Sequence, residues 1–151
     1  MNDNEPCVAY AEHLQHEHRE LHGRLRQLQA RLNNVGSDFI DAPLKTQMLE
    51  TGEQLRLDLV RHFSQEENGG CIDYACSRLP ALAPAARALE REHRRLLLEL
   101  DAVLNLLKNA APGELAVSDL KHAFDDFVVR LLAHEAREDR VVQRGFNMAW
   151  D

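Results

Sequence analysis

Four stretches of this chain place an apolar residue at every third or fourth position, and no stretch alternates with period two. That spacing lays one stripe along an α-helix and cannot line one face of a strand. The first stripe is Leu14, Leu21, Leu25, Leu28 and Leu32, and the second is Met48, Leu55 and Leu59. The third is Leu89, Leu96, Leu100, Val103 and Leu107, and the fourth is Leu120, Phe124, Phe127, Leu131 and Val141. Three breaks divide them. Residues 33–38 read as a helix stop followed by Ser37 and Asp38 as candidate N-caps, residues 68–84 carry Gly69, Gly70, Pro80 and Pro84, and residues 109–113 end on Pro112 and Gly113. The helical segments so bounded are 8–34, 40–68, 81–109 and 115–144, each end good to about three residues. Amphipathic helices on short connections predict an all-α chain, an up-down-up-down four-helix bundle built from two helical hairpins.

Every stripe is interrupted by polar residues at positions the period assigns to the core. These are His18, His62, Glu66, His93, His134 and Glu138. Buried imidazole and carboxylate are costly unless paired or ligated. They are also arranged as a repeat. Glu17-His18-Arg19-Glu20-Leu21 parallels Glu92-His93-Arg94-Arg95-Leu96 at an offset of 75 residues, and His62-x3-Glu66 parallels His134-x3-Glu138 at an offset of 72. Each half is thus a hairpin with His on its first helix and His-x3-Glu on its second. A His and a Glu four apart share one helical face, about 6 Å apart along the axis. With a rise of about 1.5 Å per residue, His18 and His62 both fall about 25–30 Å from the first connection, and His93 and His134 lie at a similar depth from the third. All six groups are expected at one level.

Imidazole and carboxylate without thiolate suit iron, manganese or zinc. Six groups exceed one tetrahedral zinc site and suit two octahedral metals bridged by two carboxylates. Two His, two bridging carboxylate oxygens and an oxo or hydroxo bridge leave one open position on each metal. His22, four residues after His18, is a candidate fifth imidazole that would close one of them. Its alternative role is a histidine at the edge of the core, since its repeat partner is Leu97.

With His18, His62-x3-Glu66, His93 and His134-x3-Glu138, the chain resembles the hemerythrin-like, or HHE cation-binding, family over about residues 10–145. The resemblance implies a single hemerythrin-like four-helix bundle domain over 1–151 with a non-haem di-iron centre. It further implies that His18 and His62 hold one iron, His93 and His134 the other, and that Glu66 and Glu138 bridge. True hemerythrins carry His-x3-His on the third helix and end with His-x4-Asp. Here the third helix reads His93 then Leu97, and although His134-x4-Asp139 is present, the match between halves favours Glu138. The duplicated pattern looks more like bacterial HHE proteins, including iron-centre repair proteins that answer nitric oxide stress. Those add an N-terminal cysteine pair, where this chain has Cys7 alone.

The other signals bound the function. The net charge of −7 argues against nucleic acid, and no apolar run suggests a membrane span. The N-terminus has no signal-peptide pattern, and three cysteines make no disulfide scaffold, so the expected location is cytoplasmic. Cys71 and Cys76 read as loop cysteines, with a redox pair as the alternative. His13, His16 and His122 fall off the stripes and read as surface residues, and Glu67, about 100° around the helix from Glu66, as an acid behind a ligand or at the surface. Phe63, Phe127, Leu21, Leu25 and Leu131 are expected to wall the site, and the apolar tail 146–150 to fold back on the bundle or on another chain. At 151 residues a fused output domain is not expected, so signalling would need a separate protein partner. The expected function is a di-iron protein that binds, stores or senses oxygen, nitric oxide or peroxide. The alternatives are an enzyme reducing peroxide or nitric oxide, an iron-donating repair protein, and a structural bundle whose polar core sets helix register. No proton donor is evident on the stripes, which favours binding over catalysis.

Overall fold

The loops between the long helices are tied to each other, which fixes one end of the molecule. In the computed structural model, which describes the backbone of residues 5–146 and the side chains of residues 9–146, the chain runs extended through Phe39 and Ile40 before its second helix. Ile40 donates to the Leu115 carbonyl at 2.9 Å, Val117 to Asp38 at 2.8 Å and Gly113 to Ile40 at 2.8 Å. Phe39 and Ala116 form an isolated antiparallel bridge, and no strand is present among the described residues. The connections 34–41 and 110–116 therefore lie side by side.

The molecule is all-α. Its helices are α1 (Glu5–Asn33), α2 (Ala42–Glu67), α3 (Cys71–Arg78), α4 (Ala83–Asn109) and α5 (Val117–Phe146), with one 3-10 turn at Pro80–Leu82. The four long helices match the expected segments to within about three residues at each end. The cap of α2 differs from expectation. Asp41, not Ser37 or Asp38, accepts from the Leu44 backbone at 2.9 Å, and Pro43 occupies the first turn. The bridge to Leu115 keeps residues 38–40 extended, which pushes the helix start downstream.

The helix α3 was hidden in the second break. Gly69 takes φ +86° and ends α2, and the next eight residues form a short helix that buries Cys71, Ile72 and Ala75. It packs on α5. The contact is close because Gly145 faces it: a Cβ there would stand 2.3 Å from the Ala75 Cβ and 2.6 Å from its Cα. Backbone cannot rotate out of the way, so Gly145→Val should lower stability by about 1–3 kcal/mol, read as a fall in melting temperature.

α1 packs on α5 and α2, α2 on α4, and α4 on α5. The buried side chains fall into two clusters. The larger fills the half toward the tied loops, from Leu21 to Leu32, Met48 to Phe63, Leu96 to Leu107 and Leu120 to Leu131. The smaller lies at the other end under α3, with Leu14, Ile72, Leu89, Val141 and Phe146. His18 falls between Leu14 and Leu21, His93 between Leu89 and Leu96, and His134 and Glu138 between Leu131 and Val141. The polar residues thus form a layer between two apolar ones. Phe146 is buried against Tyr74, while residues 147–151, the rest of the expected apolar tail, and the Cys7 side chain lie outside what the structure describes. No helix among the described residues is long and apolar enough to cross a membrane.

Candidate metal centre

The polar layer brings together six of the seven candidate ligands. His18, His62, Glu66 and Glu138 place ligand atoms within 4.8 Å of one another, and Glu66, His93, His134 and Glu138 do the same. The two groups share both carboxylates. All six residues are buried, Glu138 completely. His18 Nε2 stands 3.2 Å from Glu138 and 3.9 Å from Glu66. His93 Nε2 stands 3.0 Å from Glu66 and 3.2 Å from Glu138. His62 Nε2 abuts Glu66, and His134 Nε2 abuts Glu138, the i, i+4 pairing the spacing required.

The arrangement leaves coordinating atoms with unfilled valences. His62 Nε2, His134 Nε2 and both oxygens of Glu66 are buried and accept or donate no hydrogen bond. Buried polar atoms of native proteins almost always make hydrogen bonds, and here the carboxylate of Glu66 faces imidazole nitrogens without one. Cations among these atoms would satisfy all of them at once. The donor set therefore fits metal, and the pattern of two groups sharing two carboxylates fits a pair.

Each imidazole also has a carboxylate behind it. His62 Nδ1 donates to Glu17 at 2.6 Å and His134 Nδ1 to Glu92 at 2.6 Å. His93 Nδ1 donates to Glu67 at 3.4 Å, and His18 Nδ1 lies 3.3 Å from Asp139. In the neutral ring the acid behind His62, His93 and His134 keeps the proton on Nδ1 and leaves Nε2 turned inward, the arrangement a metal requires. These four acids follow the repeat: Glu17 and Glu92 each precede the first His of a half, and Glu67 and Asp139 each follow its Glu. The sequence leaves Glu17 and Glu92 unremarked, whereas Glu67, expected either behind a ligand or at the surface, stands behind His93. The signal was the persistence of an acid at both offsets. Neutralising either donor partner, Glu17→Gln or Glu92→Gln, should weaken metal retention by about 10–100-fold in competition with a chelator.

So many carboxylates change the imidazoles. Burial would lower the pKa of His18, but the carboxylates of Asp139, Glu138 and Glu66 that face it outweigh burial and push it up to about 12. The same contest, with Glu138 and Glu66 prevailing over burial, takes His93 to about 10. His62 and His134 are raised as well, and three imidazoles hold Glu138 well below the usual carboxylate range against its burial. Without metal the site is a trap for positive charge, and protons fill it.

His22 is not part of either group. Its Nε2 pairs with Glu135, a buried acid one turn before Asp139 that sequence reasoning did not single out. Phe63 does wall the site, stacked on His93 with ring centroids 4.1 Å apart, while Phe127, Leu21, Leu25 and Leu131 belong to the adjoining apolar cluster. His13, His16 and His122 are exposed. Cys71 and Cys76 are free thiols on α3 rather than in a loop. Burial pushes Cys71 up to about 12 while its Sγ donates to the Tyr10 carbonyl, and burial raises Cys76 too, which disfavours the thiolate at both. No family model, curated protein or solved structure matches this chain.

Proposed function

We propose that this chain is a hemerythrin-like di-iron protein, an up-down-up-down four-helix bundle that binds, stores or senses oxygen, nitric oxide or peroxide. The observation that carries the reading is the pair of buried His/Glu groups sharing Glu66 and Glu138, with inward atoms that no hydrogen bond satisfies. Loops tied at one end and six ligating groups in one layer support the bundle. On this reading His18 and His62 hold one iron, His93 and His134 the other, and Glu66 and Glu138 span the two. Iron is favoured over manganese or zinc by the mixed imidazole and carboxylate set and by the resemblance in the helix motifs. Such a pair supplies reversible one- and two-electron chemistry and open positions for a small ligand. The residues do the rest. Glu17, Glu67, Glu92 and Asp139 orient the imidazoles, Phe63 covers the α2/α4 side, and the flanking apolar clusters keep bulk water from the layer.

The test is metal analysis joined to an optical spectrum, recorded before and after reduction and exposure to oxygen. Two irons per chain and a visible band that changes reversibly with oxygen are expected. Absence of stoichiometric iron after both aerobic and anaerobic expression would sink the reading. A second reading, iron donation to damaged iron centres, is favoured by one observation: His62 and His134 each line a cleft open to the surface. Rapid transfer of iron to an apo-protein or chelator, without steady turnover of peroxide or nitric oxide, would distinguish donation from catalysis.

A further inference from the structure

The repeat that builds the centre also builds two ways into it, and these differ in charge. Between α1 and α2 a cleft of about 290 Å³ reaches His62, and between α4 and α5 one of about 210 Å³ reaches His134. Their linings correspond position by position at the offsets of 75 and 72, so Glu17 and His62 match Glu92 and His134. The charges of the linings do not match. Glu20 in the first cleft is replaced by Arg95 in the second, the buried Asp58 by Arg130, and Gln65 by Arg137, while Arg24 is replaced by Glu99 and Arg61 by Ala133.

The pairing sharpens the contrast. In the α1/α2 cleft both guanidiniums, Arg24 and Arg61, are committed to the buried Asp58. Neither Glu17 nor Glu20 is paired with a guanidinium: Glu17 accepts from the buried His62 at 2.6 Å and stands 3.0 Å from the exposed His13, and Glu20 stands 3.3 Å from the exposed His16. In the α4/α5 cleft Arg137 holds Glu92 at 2.8 Å, Arg130 holds Glu99 at 3.2 Å, and Arg95 has no acidic partner among the described residues. With histidine neutral, the lining that leads to His62 carries a net charge of −1 and the lining in front of His134 a net charge of +1.

The interior breaks symmetry in the same direction. Phe63, stacked on His93, corresponds to Glu135, which pairs with His22, and Leu97 corresponds to His22. Glu135 is buried, its Oε2 pairs with His22, and its Oε1 has no partner. The His18/His62 side therefore carries an extra buried carboxylate where the other side carries a phenyl ring. A cation is attracted to negative charge both along its path and at its seat, and low-dielectric walls strengthen that attraction.

We propose that the centre is loaded from one side: a divalent first-row cation enters by the α1/α2 cleft past Glu20 and Glu17 and occupies the His18/His62 position first and more tightly. The His93/His134 position fills second and releases first. This rests on the metal-pair reading above, and it adds order and route to it. Glu17 lies between the exposed His13 and the buried His62 and is the hand-over residue on the path.

The experiment is titration of the metal-free full chain with cobalt(II) alone, followed by its visible absorption and by chelator competition. Two equivalents are expected, with affinities about tenfold or more apart. His134→Ala keeps the tight phase, His62→Ala loses it, and Glu135→Gln narrows the gap. Glu20→Arg, on the exposed rim and without contact to any ligand, slows uptake severalfold while leaving the final stoichiometry at two. Because Glu20 is exposed, that variant folds even if a buried replacement does not. Two equivalents of equal affinity, loss of the tight phase in His134→Ala, or an unchanged uptake rate in Glu20→Arg would overturn one-sided loading and leave the metal pair standing. No cobalt uptake at all would overturn both.

Discussion

Glu138→Ala should abolish metal binding at both positions and destabilise the metal-free protein as well. Glu138 belongs to both ligand groups, so its loss removes a donor from each. Removing a carboxylate behind an imidazole ligand costs about 10–100-fold in affinity, and removing a shared ligand should cost more than the upper end of that range. The metal-free effect has a separate origin. Glu138 is fully buried and accepts from His18 and His93 at 3.2 Å and lies against His134. Its absence leaves three buried imidazoles whose raised pKa values depended on it, with only Glu66 and the outer acids Asp139, Glu67 and Glu92 to face them. Breaking a buried charge cluster by deleting one sign costs about 3–5 kcal/mol, which in a chain of this length is roughly 6–20 °C of melting temperature. Glu66→Ala is the informative comparison. Glu66 also serves both groups, yet neither of its oxygens makes a hydrogen bond. It should lose metal as completely while lowering the metal-free melting temperature less, since Glu66 faces His18, His62 and His93 without a hydrogen bond to them. Metal analysis and thermal melting of the two variants separate ligation from simple electrostatic support.

The reasons some of this was legible and some was not are physical. A stripe of Leu at 3–4 spacing has only one low-energy use, so α1, α2, α4 and α5 followed from pattern alone. His18, His62, Glu66, His93, His134 and Glu138 stood out because they occupy core positions on those stripes, and a polar group in a core position has to be explained. The outer acids gave no such contradiction. Glu17 and Glu92 sit at helix edges, half-way to solvent, where any sequence may carry a Glu, and only contact with a neighbouring helix reveals their purpose. Asp58 was hidden for the same reason: its burial depends on Arg24 and Arg61 arriving from two directions. The helix α3 was obscured by the glycines before it and the proline after it, although its eight residues bury Ile72 and Ala75 against α5. Its close seat on Gly145 is a property of two distant segments and has no local signature.

Stability should depend on pH in opposite senses with and without metal. In the metal-free protein the four central imidazoles have pKa values above 6.5, His93 at about 10 and His18 at about 12. A group whose pKa is raised on folding contributes stability that is fully present below its unfolded value, here 6.5, and is lost as pH climbs through the folded one. Glu138 and Glu92 work the other way. Their pKa values are depressed on folding, so their contribution is present above about 4.5 and is lost as pH falls through the lowered values. The metal-free chain should therefore be most stable between about pH 4.5 and 6.5, and should soften steadily from pH 7 to 10. Metal must displace those protons to reach the Nε2 atoms, so loading at pH 7 should release protons, measurable by calorimetry in buffers of different ionisation enthalpy. The loaded protein then gains stability with rising pH over the same interval in which the metal-free protein loses it, because fewer protons compete for the imidazoles. At a free metal concentration about a thousand times its dissociation constant the gain is about 4 kcal/mol. Denaturant midpoints measured from pH 5 to 9, with and without metal, should diverge as pH rises. Parallel curves would mean that the imidazoles are not where the metal binds, whatever metal the protein carries.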